Sequence, residues 1–162
     1  MGHKAGWIAL YSGMAGGGDV ILIPELPYDM DNICQTIMQR MQRGKNYAIV
    51  VVAEGLSTPH PGRAGEYIAS TITEMTGIDA RETVLGYTQR GGSPCSFDRI
   101  LSTRMGSHAV ELIADQHYGR MVAVSGGDIT SVPLSEVAGC TRLVPPDHEL
   151  ILQGQHMGVC FG

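Results

Sequence analysis

Four short apolar runs constrain the fold of this chain more than any other feature of its sequence. The clearest covers residues 20–24, which read Val-Ile-Leu-Ile-Pro; residues 48–53 and 121–124 have the same character, and residues 82–86 are a weaker example. The first three runs are too short for a helix and are apolar without alternation, which is typical of a strand buried on both faces of a parallel sheet. The runs therefore predict a sheet that is covered on both sides.

Helical patterns separate these runs. Residues 29–43 repeat apolar side chains at the i, i+3, i+4 spacing of one helix face, with Asp29 in the N-cap position and Gly44 after the end. Further helices are predicted over residues 5–15, 65–75, 97–114 and 147–155. Strands that alternate with helices predict an α/β fold, with a doubly wound, mostly parallel sheet flanked by helices, in a single domain over residues 1–162.

The composition narrows the functional classes. A formal net charge of −5 argues against nucleic-acid binding, which needs basic surface. The sequence shows no signal-peptide pattern and no run of the ~18 apolar residues that a membrane span needs. The four cysteines lack Cys-x-x-Cys spacing, which favours reduced thiols. We expect a soluble, cytoplasmic protein that binds neither nucleic acid nor membrane.

Ligands of doubly wound sheets bind beyond the carboxyl ends of the strands, which directs attention to three segments. Glu54 follows the second predicted strand, residues 87–90 follow the third, and residues 125–128 follow the fourth. A carboxylate such as Glu54 can accept hydrogen bonds from sugar hydroxyls. Arg90 precedes two glycines, so its planar guanidinium and a closely approaching backbone could meet a phosphate. A plain turn with a solvated arginine, and a surface carboxylate, are the open alternatives.

Two more residues are candidates on weaker grounds. Arg81 stands at the start of the third predicted strand, and two arginines around one anion would be a strong arrangement, although an exposed side chain is the alternative. His3 opens the first predicted helix, where free N–H groups favour an anion or a polar sugar oxygen. An incidental histidine near the terminus is the alternative there.

Other motifs are absent or weak. The Gly-Gly-Gly-Asp sequence of residues 16–19 lacks the lysine and serine of a phosphate-binding P-loop. No Gly-x-Gly-x-x-Gly follows a first strand, which argues against a dinucleotide-dependent oxidoreductase. The histidines show no metal-ligand spacing, so we predict no metal site.

Taken in order, these segments resemble the 6-phosphofructokinases. The most specific motifs are Gln89-Arg-Gly-Gly-Ser-Pro94 and the Met-Gly start. The resemblance covers residues 1–10, 15–25, 48–54, 84–94, 98–106 and 157–162. It implies a Rossmann-like fold and the half of such an enzyme that binds fructose 6-phosphate.

The resemblance also implies roles for single residues. Glu54 would bind sugar hydroxyls, Tyr87 and Arg90 would hold the 6-phosphate, and Arg81 would reach into the site of a neighbouring subunit in a homo-oligomer. The family commonly has arginine where His3 stands and histidine where Tyr87 stands, so both positions lose charge. The full set of implied substrate-binding residues is Met1, Gly2, His3, Glu54, Arg81, Tyr87, Thr88, Gln89 and Arg90. An implied allosteric effector site comprises Asp19, Arg43, Lys45 and Asn46.

The motifs for catalysis are not found in this sequence. In the resembled family the first domain supplies the nucleotide or pyrophosphate loop, the Mg²⁺ ligands and the catalytic aspartate, and phosphoryl transfer needs all three functions. We therefore expect no catalytic residue in this chain. The resemblance implies a glycolytic enzyme that uses Mg²⁺ and either ATP or pyrophosphate to phosphorylate the 1-hydroxyl of fructose 6-phosphate. This chain would be an excised piece of that enzyme and would be inactive alone. The alternative is a non-catalytic sugar-phosphate or effector-binding module.

Overall fold

The computed structural model describes residues 3–162, and its chain divides into two compact units. One unit contains the described residues up to Val84 together with Thr141–Gly162, and the other is Leu85–Cys140. The expected single domain over residues 1–162 is untested and stays a prediction.

The helices follow the predicted order, whereas the strands match it only for the first two predicted runs. In chain order they are α1 (Trp7–Ala15), β1 (Val20–Leu22), α2 (Met30–Gln42), β2 (Val50–Val52), α3 (Ala64–Thr76), a 3₁₀ turn (Gly86–Arg90), α4 (Ser96–Ala114), β3 (Arg120–Ser125), β4 (Asp128–Pro133), α5 (Leu134–Val137) and α6 (Glu149–His156). The first unit holds the first five of these elements and α6, and the second unit holds the rest.

Strand β1 is buried on both faces, as its continuous apolarity predicted. Val20 and Leu22 pack in one core with side chains of α2 and α3, whereas Ile21 and Ile23 pack in a second core with side chains of α1 and α6. All four side chains are completely buried. Burial of one such side chain stabilises the fold by about 1.5–3 kcal/mol, so this short strand is central to the unit.

The sheet around β1 is parallel. Strand β2 pairs with it in the register Val20 to Val50 and Leu22 to Val52. On the other edge Cys160 forms a parallel bridge to Val20, and its carbonyl oxygen accepts a 2.8 Å hydrogen bond from the Ile21 amide. The α/β fold with a parallel sheet flanked by helices is confirmed.

Local signals set the helix ends. The Asp29 carboxylate accepts a 3.1 Å hydrogen bond from the Asp31 amide and so caps α2. Helix α3 ends at Gly77, whose φ of 70° is left-handed and suits glycine. The other predicted helices begin and end within a few residues of the observed bounds.

The strand predicted over residues 82–86 is wrong. Residues 77–85 form neither helix nor strand, and Val84 and Leu85 are exposed. A strand needs a partner for its backbone N–H and C=O groups, and none lies beside this segment in the described part of the chain.

The strand predicted over residues 121–124 exists, but it is not part of the parallel sheet. It lies within β3, which pairs with β4 in an antiparallel hairpin. Gly126 and Gly127 form the two-residue turn with φ of 59° and 95°, the left-handed pair that closes tight hairpins. Residues 125–128 are therefore a hairpin turn, and β4 was not predicted.

The second unit leaves its apolar side chains uncovered. None of the residues in Leu85–Cys140 is buried, and large apolar side chains are exposed along the 3₁₀ turn, α4 and the segment before β3: Leu85, Tyr87, Phe97, Ile100, Val110, Ile113 and Tyr118.

Within the part of the chain that the structure describes, none of the helices has the length and apolar character to cross a bilayer.

Candidate functional site

The structure brings two predicted site residues together at the carboxyl end of the parallel sheet. Nδ1 of His3 lies 3.0 Å from Oε1 of Glu54. Glu54 stands directly after Ala53, whose amide donates to the Leu22 carbonyl and extends the pairing of β1 with β2. Both site side chains are largely exposed, so a ligand can reach them.

The pair of His3 and Glu54 is suited to binding a polar ligand. Even an ion pair between exposed groups contributes only about 0–1 kcal/mol, so the contact of His3 with Glu54 is easily exchanged for a bound molecule. The Glu54 carboxylate offers acceptors only, and the His3 imidazole can donate one or two N–H groups. A polyhydroxylated ligand fits such a set, because each hydroxyl both donates and accepts.

The chain between His3 and helix α1 packs closely on both strand ends. A Cβ atom on Gly55 would stand 3.2 Å from the Lys4 Cα atom, so the main chain of the two segments is in direct contact. A Cβ atom on Gly6 would overlap the Ile23 Cβ atom. Glycine is needed at both positions for this approach.

Glu25 is a residue of this region that the sequence did not single out. Its Oε1 accepts a hydrogen bond from the Gly6 amide at 2.9 Å and another from the Val144 amide at 2.9 Å. Glu25 follows β1 and Pro24, so its place near the sheet edge could have been predicted. Its two partners could not, because neither lies near it in sequence.

Tyr28 ties the region after β1 to the loop after β2. Its hydroxyl donates a 3.0 Å hydrogen bond to the Ser57 carbonyl. Burial raises the pKa of Tyr28 above its ordinary value, and nearby Tyr67 raises this pKa further. The hydroxyl therefore stays protonated and serves as a donor that fixes this loop.

Arg81 makes a local ion pair. Its Nη2 lies 2.9 Å from Oδ2 of Asp79, and both side chains are more than two-thirds exposed, at 86% and 71%. The irregular segment around Arg81 thus presents a guanidinium to solvent.

The predicted phosphate-binding residues lie in the second unit. Tyr87, Thr88, Gln89 and Arg90 form most of the 3₁₀ turn, and all four are exposed. The Thr88 hydroxyl donates to the Leu85 carbonyl. Within residues 3–162 the Arg90 guanidinium makes no hydrogen bond or ion pair with a protein group.

Asp19, predicted for the effector site, is engaged inside the fold. Its Oδ1 lies 2.6 Å from Nη1 of Arg40, and its Oδ2 accepts a 2.8 Å hydrogen bond from the Ile49 amide. Arg40 also donates from Nε to the Tyr47 carbonyl at 2.8 Å and lies over the Tyr47 ring. Asp19 therefore holds the start of β1 to the segment before β2.

The other predicted effector residues are exposed around the end of α2. Arg43 is its C-cap, and Lys45 and Asn46 follow the turn at Gly44, whose φ is 82°. The roles predicted for Met1 and Gly2 fall outside the described residues. Among residues 3–162 no cluster of three or more His, Cys, Asp or Glu side chains is arranged to hold a metal ion.

Comparisons with known proteins identify the class of α/β protein to which this sheet and site belong. The family model described as phosphofructokinase matches residues 1–113. The chain belongs to the phosphofructokinase family.

Relatives agree with this assignment. The chain is 65% identical over its whole length to the ATP-dependent 6-phosphofructokinase 3 of Bacteroides thetaiotaomicron and covers 48% of that protein. It is 48% identical to the ATP-dependent 6-phosphofructokinase of Spirochaeta thermophila, again over the whole chain and 49% of the relative. The chain thus spans about half the length of the curated relatives that it matches.

Solved structures confirm the fold. A pyrophosphate-dependent phosphofructokinase from Nitrosospira multiformis matches the whole chain with a TM-score of 0.76 at 23% identity, and the chain covers 46% of it. Phosphofructokinase from Pichia pastoris matches 84% of this chain with a TM-score of 0.70 at 33% identity, over 15% of its own length.

Proposed function

We propose that this chain provides fructose 6-phosphate-binding residues of a 6-phosphofructokinase. The complete enzyme transfers a phosphoryl group to the 1-hydroxyl of this sugar phosphate and gives fructose 1,6-bisphosphate. The observation that carries the proposal is the meeting of His3 with Glu54 at the carboxyl end of the parallel sheet. Two sugar-binding positions implied by the family motif, which lie far apart in sequence, come within 3.0 Å of each other there.

Each residue has a defined part in the proposed binding. Glu54 accepts hydrogen bonds from sugar hydroxyls, and His3 donates to a sugar oxygen. Arg90 binds the 6-phosphate through its guanidinium, and the Tyr87 hydroxyl donates to the same group. Thr88 and Gln89 complete this phosphate-binding turn, and Met1 and Gly2 line the sugar.

We assign ATP as the phosphoryl donor. The relatives that are 65% and 48% identical to this chain are both ATP-dependent by name, whereas the pyrophosphate-dependent structure is only 23% identical. In this proposal the donor site, the Mg²⁺ and the catalytic base are supplied by the other half of the complete enzyme, because the chain covers about half of each relative. The second unit exposes large apolar side chains, which favours contact with another protein surface such as the other half of the enzyme.

Sharing of sites between subunits is part of the proposal. Arg81 is 86% exposed and stands on an irregular segment, so it can reach the phosphate of a neighbouring copy.

Regulation is proposed at Arg43, Lys45 and Asn46, which offer cationic and amide groups to a phosphorylated effector beside Asp19. The glycolytic reaction places the protein in the cytoplasm, in keeping with its four free cysteines.

The test joins this chain to the missing half of the Bacteroides thetaiotaomicron relative and measures ADP formation. We expect the chain alone to be inactive and the joined protein to release ADP only with fructose 6-phosphate. Glu54→Gln should raise the KM for the sugar phosphate by about tenfold or more, since a charged hydrogen bond contributes about 1.5–3 kcal/mol. Glu74→Gln, an exposed change on α3, is the matched control.

Different outcomes separate the alternatives. An unchanged KM in Glu54→Gln would overturn the sugar-binding assignment. Saturable sugar-phosphate binding by a joined protein that never forms ADP would support a non-catalytic binding module instead. Sharing of sites is tested by mixing Glu54→Gln and Arg81→Ala chains: recovery of part of the activity in the mixture supports shared sites, and no recovery contradicts them.

A further inference from the structure

The Glu25 carboxylate joins three parts of the first unit. The Gly6 amide donates to both of its oxygens, at 2.9 Å to Oε1 and 3.1 Å to Oε2. The Val144 amide donates to Oε1 at 2.9 Å. A charged acceptor that binds two main-chain amides is held firmly, because charge-assisted hydrogen bonds are about twice as strong as neutral ones.

One end of this arrangement is rigid. Glu25 stands two residues after Ile23, which is completely buried beside β1, and Val144 is 1% exposed in the same core. Neither anchor can shift without opening that core. The position of the carboxylate is therefore set by the sheet and the packing around it.

The other end holds the segment that leads to the candidate site. Gly6 is the N-cap of α1, and its carbonyl accepts the first helical hydrogen bond from the Leu10 amide at 2.8 Å. A Cβ atom on Gly6 would stand 2.8 Å from Oε2 of Glu25, so the main chain lies directly on the carboxylate. A negative charge at this end of α1 is favourable because it faces the positive end of the helix dipole.

Only two residues, Lys4 and Ala5, separate Gly6 from His3. Three chain steps span at most ~10 Å, so the position of Gly6 limits where His3 can lie. The His3 carbonyl packs on Gly55, and the His3 ring contacts Glu54. The segment is thus held at Glu25 on one side and at the end of β2 on the other.

We propose that Glu25 is a positioning residue for the sugar site. It holds the segment from His3 to Gly6 against the sheet edge, so that the His3 ring faces the Glu54 carboxylate. Glu25 does not touch the substrate and acts through His3. This inference rests on the proposed function, because it assigns Glu25 to the same site.

The experiment compares Glu25→Gln with Glu74→Gln in this chain and in the joined enzyme. Glutamine keeps the shape of Glu25 but removes its charge and replaces one acceptor oxygen with an NH₂ group. In the chain alone, the Gly6 and Val144 amide resonances should move upfield as their hydrogen bonds weaken. The His3 ring resonances should move towards those of a Glu54→Gln chain, in which the ring has lost its charged partner.

In the joined enzyme, the KM for fructose 6-phosphate should rise by about tenfold, because small misplacements of a binding group have effects of this size or larger. The KM for ATP should stay within about twofold. In a His3→Ala background, Glu25→Gln should add less than about twofold, since residues that act through one another are not additive. Glu25→Asp, which keeps the charge but shortens the side chain, should lie between the wild type and Glu25→Gln.

Several results would overturn the inference. One is a Glu25→Gln chain in which the two amides shift while the His3 ring and the sugar-phosphate KM stay at wild-type values. Another is a full additional loss in the His3→Ala background, which would mean that Glu25 acts elsewhere. If wild-type enzyme ignores fructose 6-phosphate, the proposed function fails, and the His3 ring resonances still decide whether Glu25 positions His3.

Discussion

Gly55 lies so close to the main chain of His3 that a Cβ atom on Gly55 would stand 2.5 Å from the His3 carbonyl oxygen. This contact fixes how near the two segments of the candidate site can come. The requirement for glycine at this position is therefore steric and local, since it arises from a neighbouring backbone atom that cannot rotate away.

Gly55→Ala should separate His3 from Glu54. We expect a loss of about 1–3 kcal/mol in the free energy of unfolding, as for an overpacked core, together with weaker sugar-phosphate binding. The control is Gly106→Ala on helix α4, where a Cβ atom meets nothing within 4 Å. That change should be neutral or stabilising by up to about 1 kcal/mol. Equal stability of the two variants in urea unfolding would contradict the steric argument.

Ile21→Ala should be among the most destabilising substitutions in the first unit. The Ile21 side chain is completely buried in the second core, so its truncation should lower the free energy of unfolding by about 2–5 kcal/mol. Ile113→Ala removes the same atoms from a side chain that is 60% exposed and should cost at most about 0.5 kcal/mol. Denaturant midpoints of the two variants measure the difference, and similar midpoints would refute the burial described for β1.

The pair of Asp19 with Arg40 should contribute more to stability than the pair of Asp79 with Arg81. Asp19 and Arg40 are only 14% and 27% exposed, and Asp19 also accepts a main-chain hydrogen bond. We expect Asp19→Asn to lower the free energy of unfolding by about 1–3 kcal/mol. The exposed pair is screened by solvent, so Asp79→Asn should change it by less than about 1 kcal/mol. Thermal unfolding of both variants tests this ranking of the two pairs. A larger loss of stability in Asp79→Asn than in Asp19→Asn would contradict it.

Helix α4 should lose its N-terminal cap in acid. The Asp98 carboxylate accepts hydrogen bonds from the Cys95 side chain and amide, which hold the pKa of Asp98 below its ordinary value. A lowered folded pKa means that the cap stabilises the helix fully above the unfolded pKa of about 4. This stabilisation is lost as the pH falls through the folded pKa.

Amide NMR across this pH range checks the sign of the effect. The Cys95 amide resonance should show an acid transition that is absent in Asp98→Ala and retained in Asp115→Ala, which changes the C-cap of the same helix. A Cys95 transition centred above about pH 4 would contradict the direction of the shift.

The sequence was most informative where one chain segment determines its own structure. The unbroken run of Val20 to Ile23 predicted a strand between two cores, and Asp29 predicted the start of α2, because apolar periodicity and capping are local properties. The segment around Val84 failed for the opposite reason. A strand exists only beside a partner, and its residues do not state which partner they will have.

The same limit of sequence-based prediction applies to the candidate site. Position after a strand marked Glu54, and the family motif marked His3, so both were named from sequence. Their contact, and the hydrogen bonds from Gly6 and Val144 to Glu25, depend on how distant segments pack. The turn at Gly126 was misread because a glycine pair can close a hairpin as readily as it can receive a ligand.

Because β1 lies between two cores, helices on both faces of the strand cover its main-chain hydrogen bonds. The Ile21 amide donates to the Cys160 carbonyl, and the Ala53 amide beyond β2 donates to the Leu22 carbonyl. Exchange of these protons requires the packing around β1 to open. Their exchange with deuterium should therefore be among the slowest in the first unit, with an opening free energy close to that of its complete unfolding.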